Sequence, residues 1–144
     1  MSNDIKSPYR YDFVGSFLRP ENLKQARKDF EEGKISREQL TAVEDEEIRK
    51  VVAKQKAAGY HIITDGEFRR KFWHLDFMRG FEGIGHKEAI AGVQFNDEVA
   101  QLEDTYLTGK VKAKAHPFVE YFKFLKQFED EQTVAKYTIP APAQ

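Results

Sequence analysis

YHIITDGEFRRKFW, residues 60–73, contains the clearest indication of the fold class of this chain. Its first residues, YHIIT, are a continuous β-favouring run of the kind that is buried in a parallel strand. The run ends abruptly at Asp65-Gly66-Glu67, where two carboxylates flank one glycine, and three basic residues come next. A buried strand that ends in two acids is typical of a parallel α/β fold with polar groups at its strand ends.

Upstream of the strand the sequence predicts one further strand and two helices. Residues 11–15 form a short β-like run that stops at a glycine. Pro20 offers the fixed backbone angle that suits the first turn of a helix. Ser36, with Gln39 three residues later, makes a capping box that begins a longer second helix, and Gly59 is expected to end it.

Downstream the pattern changes several times. Apolar residues at helical spacing predict a helix at 68–79, and partial alternation predicts a β excursion between residues 90 and 114. Pro117 begins an aromatic-rich helix, and an apolar run at 134–139 predicts the last strand. The predicted strands therefore lie near 11–15, 60–65 and 134–139.

Three apolar strands separated by helical crossovers indicate an α/β fold with a parallel sheet and right-handed connections. A doubly wound sheet and a barrel both fit this order. The first turn, Gly15-Ser16-Phe17-Leu18, has no glycine-rich cradle for a dinucleotide phosphate. A complete eight-unit barrel typically needs roughly 250 residues, whereas this chain has 144, enough for a single domain.

The composition argues against several classes of function. Lys and Arg total 23 against 24 Asp and Glu, so no overall field attracts nucleic acid or an anionic membrane. The chain has no cysteine, which removes disulfides and thiolate metal ligands. No segment approaches the ~18 apolar residues of a membrane span. We therefore expect a cytoplasmic protein with a small-molecule partner and without nucleic-acid or membrane partners.

The two acids after the central strand are the first candidate binding residues. Functional groups in parallel α/β folds gather beyond the carboxyl ends of the strands. Gly66 permits a bend that brings Asp65 and Glu67 towards one ligand, and two anions suit an ammonium group or an acid–base pair. Alternatively, Asp65 caps the next helix and Glu67 pairs with Arg70 or Lys71. Both interpretations remain open on the sequence.

The neighbouring candidates are weaker. Gly15 lets a ligand approach the backbone, and the Ser16 hydroxyl could hold a carboxylate, although a serine here could equally cap a helix. Arg69 and the two basic residues after it are expected to form a solvated face. The four histidines lack the helical spacing of a zinc pair, so no complete metal site is visible.

Two motifs together resemble the cobalamin-independent methionine synthase family. The first is DFVGSFLRP, residues 12–20, an aromatic strand that runs into a Gly-Ser turn and an arginine. The second starts at EEGKIS, residues 31–36, and continues through the long helix to GEFRR, residues 66–70. The resemblance covers residues 9–83 and returns at KYTIPAPAQ, residues 136–144. The combination is specific, whereas each piece alone would be weak.

This resemblance implies a TIM (β/α)8 barrel that transfers a methyl group from methyl-tetrahydrofolate to the sulfur of homocysteine and so makes methionine. Zinc in the family activates the thiol as a thiolate. The family's homocysteine-binding backbone and hydroxyl match Val14, Gly15 and Ser16, and the carboxylate that holds the amino group matches Glu67. Asp65 occupies a place where the larger synthases carry a different residue.

The family's zinc ligands, a His-x-Cys pair, a Glu and a further Cys, have no counterparts in this sequence. We therefore expect residues 1–144 to supply the first three β/α units of a barrel that is incomplete on its C-terminal side. Such a chain would hold part of the homocysteine site, bind no zinc and carry no catalytic residue of its own.

Two other functions stay open. The chain could be a non-catalytic remnant that binds small amino acids and self-associates, or a barrel related to uroporphyrinogen decarboxylase that acts on another methyl acceptor. In each case the unpaired edge of the sheet favours a homo-oligomer or a swapped assembly.

Overall fold

The computed structural model describes residues 12–88, 93–95, 98–100 and 103–141. In chain order the elements are α1 Glu21–Glu31, α2 Arg37–Ala57, β1 Ile62–Ile63, α3 Leu75–Met78, β2 Glu82–Glu88, β3 Val93–Phe95, β4 Glu98–Ala100, β5 Glu103–Lys112, α4 Pro117–Lys126 and β6 Val134–Ala135. The chain divides into two compact units, the first made of Met1–Arg70 and Tyr121–Thr138, the second of Lys71–Glu120 and Ile139–Gln144. None of the described helices is long and apolar enough to cross a membrane.

The helices of the first unit follow local sequence rules. Helix α1 begins directly after Pro20, as predicted. At the start of α2 the Ser36 hydroxyl accepts a hydrogen bond from the Gln39 N–H, and the Gln39 side chain accepts one from the Ser36 N–H, which confirms the predicted capping box. Gly59 lies just after the helix with a φ of 82°, the left-handed conformation that ends many helices.

The parallel sheet of the first unit consists of β1 and β6. The Val134 N–H donates to the His61 carbonyl at 2.8 Å, and the Lys136 N–H donates to the Ile63 carbonyl at 2.9 Å. This pairing confirms two parallel strands within the predicted 60–65 and 134–139, although each is shorter than predicted. The buried core around them is formed by Leu23, Ile48, Val52, Ile63, Phe68, Leu125 and Ala135.

The strand predicted at 11–15 is not formed in its described part, residues 12–15. A strand needs a hydrogen-bonded neighbour, and no described strand pairs with this segment. Instead, the Lys136 ammonium donates to the Phe13 carbonyl at 2.6 Å, and the Phe13 ring contacts the Tyr60 ring edge-on. The segment is therefore held by side chains rather than by a ladder, and Val14 is 80% exposed.

In the second unit the predicted helix at 68–79 is wrong in extent, because only α3 is helical. The Asp76 carboxylate accepts hydrogen bonds from the Lys71 and Phe72 backbone N–H groups at 2.6 and 3.2 Å, so these groups are satisfied outside a helix. A β excursion is present, but it already begins at β2, which pairs antiparallel with β5. The helix predicted at Pro117 is confirmed as α4.

Candidate functional site

The candidate site lies where β1 and β6 end. Because the strands are parallel and adjacent, their carboxyl ends meet at one edge of the sheet. Asp65 and Glu67 come after β1, and Thr138 comes after β6. Asp65 is 3% exposed and Glu67 is 8% exposed, although both are carboxylic acids. Buried acids are costly unless they are paired, so their partners determine what this turn can do.

The backbone of the turn is held in an unusual conformation. Gly66 has a φ of 66° and Glu67 a φ of 58°, and Glu67 is the sole non-glycine residue at positive φ among those described. The left-handed region costs an ordinary residue about 1–2 kcal/mol. Such residues persist where the surroundings over-determine them, and they cluster at binding and catalytic sites. The conformation therefore marks Glu67 as a candidate functional residue independently of its charge.

Asp65 is a buried acid with incomplete compensation. Its Oδ1 accepts a hydrogen bond from the Glu67 N–H at 2.9 Å. Burial raises the pKa of Asp65, an effect that the Glu67 N–H, the Arg70 guanidinium and Tyr137 oppose. Burial also raises the pKa of the Tyr137 phenol, and the negative charge of Asp65 adds to that effect. The ionised form of Asp65 is thus disfavoured in the chain by itself.

Glu67 has two partners on its carboxylate. Its Oε1 accepts a hydrogen bond from the Thr138 hydroxyl at 3.3 Å and lies 3.6 Å from Nη1 of Arg70. The Arg70 side chain is 2% exposed, donates to the Thr138 carbonyl at 2.5 Å and lies over the Tyr137 ring. The sequence allowed Glu67 to pair with Arg70, and this pair is formed. Arg70 also acts electrostatically on Asp65. The two acids therefore share this cation.

The other predicted binding residues lie on a neighbouring segment. Gly15 has a φ of 96°, and a Cβ placed there would have no described atom within 4 Å. Ser16 is exposed, as is Val14. Directly after Ser16, the Phe17 N–H donates to the Gly66 carbonyl at 3.1 Å, which ties this segment to the acidic turn. The structure thus brings the two predicted halves together, one exposed and one buried.

Sequence reasoning missed Gln55, which supports the turn from α2. Its side-chain nitrogen donates to the Thr64 carbonyl at 2.8 Å, and its side-chain oxygen accepts from the Thr64 N–H at 2.9 Å. The buried amide therefore pairs with the chain as a strand neighbour would. Its position in the sequence could have indicated that Gln55 is buried, because it lies seven residues after Ile48 on the helix face that buries Ile48 and Val52.

Of the three basic residues predicted to form a solvated face, Lys71 is exposed, whereas the side chains of Arg69 and Arg70 are buried. The Arg69 side chain is buried, pairs with Glu44 at 3.2 Å and lies over the Phe124 ring. Glu44 is 1% exposed and also pairs with Arg37 and Arg27. Burial raises the pKa of Glu44, against the effect of these three guanidinium groups. The aromatic and acidic partners contributed by distant elements are what make burial of Arg69 tolerable.

No group of three or more metal-capable side chains is found among the described residues. Those residues therefore do not fit a zinc site.

The chain matches a known family over most of its length. Residues 12–105 match the family model described as the catalytic domain of cobalamin-independent synthase. The uncharacterised protein YxjH of Bacillus subtilis is 39% identical over 137 residues, which cover 95% of this chain and 36% of the relative. A methionine synthase of Sulfolobus acidocaldarius is 29% identical over 134 residues, which cover 90% of this chain and 37% of the relative.

Two solved structures similar to this chain are described as members of the same family. A protein from Listeria monocytogenes described as a vitamin-B12-independent methionine synthase superposes with a TM-score of 0.75 at 39% identity, over 95% of this chain and 37% of that one. A B12-independent methionine synthase from Shewanella sp. W3-18-1, in complex with selenomethionine, gives a TM-score of 0.58 at 25% identity, over 76% of this chain and 31% of that one. The chain spans about a third of the length of these proteins.

Proposed function

The chain belongs to the cobalamin-independent methionine synthase family, as the N-terminal part of its catalytic domain, and from this premise we propose that it supplies part of a homocysteine site. In this proposal the complete enzyme transfers a methyl group from a reduced folate to the sulfur of homocysteine. The two parallel strands belong to the first units of a (β/α)8 barrel, and the substrate lies beyond their carboxyl ends.

The observation that carries the proposal is the buried acidic turn. Asp65 and Glu67 bring two carboxylates to one strand end, and Arg70 is the cation that acts on both. When both acids are ionised this group carries one net negative charge, which an ammonium group of an amino acid would neutralise. Burial makes that neutralisation worth more than it would be in water. We assign the principal ammonium contact to Glu67 and a supporting role to Asp65.

The exposed segment supplies the complementary half. Val14, Gly15 and Ser16 offer backbone groups and a hydroxyl that can hydrogen-bond the carboxylate of an amino acid, and the open space around Gly15 allows close approach. The Shewanella relative was solved with selenomethionine, an amino acid that carries both an ammonium and a carboxylate group. That likeness supports an amino acid as the ligand class.

We assign no zinc ligand to this chain. The described residues offer no cluster that fits the metal, and we derive no step through it. The proposal gives this chain the tasks of holding the amino and carboxylate groups of the substrate, and it names no catalytic residue within residues 1–144.

The experiment is isothermal titration calorimetry of the 144-residue chain with methionine and with homocysteine. We expect Glu67→Gln to weaken binding by about 1.5–3 kcal/mol, the usual worth of a charged hydrogen bond. The matched control is Glu46→Gln, because Glu46 is an exposed acid on α2. Absence of binding by the unmodified chain would refute the proposed site. If Glu67→Gln bound methionine and homocysteine as tightly as the unmodified chain does, the proposed ammonium contact would be refuted.

A further inference from the structure

We propose that Arg19 and Arg27 are positioning residues that hold the Gly66–Glu67 turn in its left-handed conformation and thereby aim the Glu67 carboxylate. The inference rests on the proposed function of Glu67 as the receptor for an ammonium group. It adds two residues, neither of which needs to touch the substrate.

The two guanidinium groups bind the backbone carbonyls of the turn. Nη2 of Arg19 donates to the Glu67 carbonyl at 3.1 Å and to the Arg70 carbonyl at 2.8 Å. Nη1 of Arg27 donates to the same Arg70 carbonyl at 2.9 Å, and its Nη2 donates to the Phe68 carbonyl. Three carbonyls within four consecutive residues are therefore fixed by two cations from outside the turn.

This arrangement offsets the strain at Glu67. A non-glycine residue in the left-handed region relaxes to an ordinary conformation unless its neighbours hold it. Both described bonds of Arg19 come from Nη2, whose two hydrogens have directions fixed by the planar guanidinium, whereas the three donors of a lysine ammonium rotate freely. Because the contacts are to backbone oxygens, they fix the direction of the peptide without occupying the Glu67 carboxylate, whose described partners are Thr138 and Arg70.

Arg19 also sets the spacing between the two halves of the site. It lies three residues after Ser16 on the same segment, and the Phe17 N–H of that segment donates to the Gly66 carbonyl. Together these contacts attach the segment that contains Gly15 and Ser16 to Gly66 and Glu67 of the acidic turn and to Arg70 after it. A change at Arg19 is therefore expected to disturb Glu67 and its distance from Ser16 at the same time.

Arg19 is the better residue to test. Arg27 also lies 3.9 Å from the buried Glu44, so its replacement would disturb a second set of ion pairs. The described hydrogen bonds of Arg19 go to the turn. Arg19→Lys keeps the charge and loses the planar group that fixes the two donor directions. Arg49→Lys is the matched control, because Arg49 is a half-exposed arginine that pairs with Glu46 on α2.

The experiment compares the 144-residue chain, Arg19→Lys and Arg49→Lys in three measurements. Urea unfolding checks that each variant folds cooperatively, and calorimetry gives the Kd for methionine. Nuclear magnetic resonance gives the Glu67 backbone chemical shifts and couplings, which depend on φ and report the turn without any ligand. We expect Arg19→Lys to raise the Kd about tenfold and to move the Glu67 signals, while the Ser36 and Gln39 signals stay unchanged. Arg49→Lys should change none of these values.

The outcomes separate this inference from the proposed function. If Arg19→Lys binds methionine like the unmodified chain and keeps its Glu67 signals, the positioning role is overturned. If the unmodified chain binds no methionine, the proposed function fails, and the Glu67 signals of the variant still decide whether Arg19 holds the turn. If Arg19→Lys does not fold, Arg19→Gln, which keeps a donating amide, is compared in the same way.

Discussion

The acidic turn at Asp65–Glu67 and the Gly15-Ser16 segment are two neighbouring parts of one candidate site, yet they are built in opposite ways. The turn is buried, and backbone groups of the turn and of the residues on either side of it are held by side chains from α1, α2 and the segment before them. The Gly15-Ser16 segment is exposed, and a Cβ at its glycine would meet no described atom. The charged half of the candidate site is therefore held in place by the fold, whereas the backbone groups of the other half are exposed to solvent.

This difference predicts which substitutions will lower the free energy of unfolding most. The largest contrast is between two glycines that both have positive φ. Gly66→Ala forces a left-handed alanine and places a Cβ 3.0 Å from Cδ2 of Phe17 and 3.2 Å from Cε1 of Phe68. We expect it to lower the free energy of unfolding by about 2–5 kcal/mol. Gly15→Ala meets no such contact and should cost about 1–2 kcal/mol.

Urea unfolding of the two variants measures that contrast. Gly33→Ala calibrates it, because Gly33 has a φ of 71° and open space around it, outside the site. Equal losses at Gly66 and Gly15 would show that the turn is no more tightly packed than the exposed segment.

A smaller effect is expected at Gln55, which connects α2 to the turn. Gln55→Leu leaves the buried N–H and carbonyl of Thr64 without their side-chain partner. We expect the free energy of unfolding to fall by about 2–4 kcal/mol. Gln25→Leu is the control, because Gln25 is exposed on α1 and bonds to Asp29, and such a surface change is usually worth under ~0.5 kcal/mol. A cost at Gln55 no larger than the control would mean that the amide does not stabilise the turn.

The smallest effects are shifts of stability with pH, and two aspartates should give opposite signs. The pKa of Asp65 is raised above its ordinary 3.8, first by burial. Its stabilising contribution is therefore complete below that value and is lost as pH rises through the folded pKa. The pKa of Asp130 is lowered, first by its hydrogen bond from Lys56. Its contribution is present above the ordinary value and is lost as pH falls through the folded pKa.

The measurement is urea unfolding of Asp65→Asn and Asp130→Asn between about pH 3 and pH 7. As pH rises, the free energy of unfolding of Asp65→Asn should increase relative to that of the unmodified chain. The free energy of unfolding of Asp130→Asn should decrease relative to that of the unmodified chain. Parallel curves for the two variants would contradict the two causes behind the opposite signs, burial at Asp65 and the Lys56 hydrogen bond at Asp130. Methionine added at neutral pH should reduce the effect at Asp65, because an ammonium group nearby would favour its ionised form.

Much of the local structure could be predicted from sequence because its causes lie within a few residues. The capping box of α2, the stop at Gly59 and the apolar strand before Asp65 depend on neighbours in the chain. The strand predicted at 11–15 failed because a strand also needs a partner. The expected solvated face failed at Arg69 because its acidic and aromatic partners lie on α2 and α4.

The order of residues alone is enough to put two acids around a glycine at the end of a buried parallel strand, since hydrophobic pattern and glycine placement are local properties. The left-handed conformation of Glu67 and the side chains that hold it there depend instead on the tertiary fold. Arg19 and Arg27 reach the turn across 41 to 51 residues of chain. Contacts at that separation form when the whole fold brings the segments together, because no periodicity in the chain encodes them.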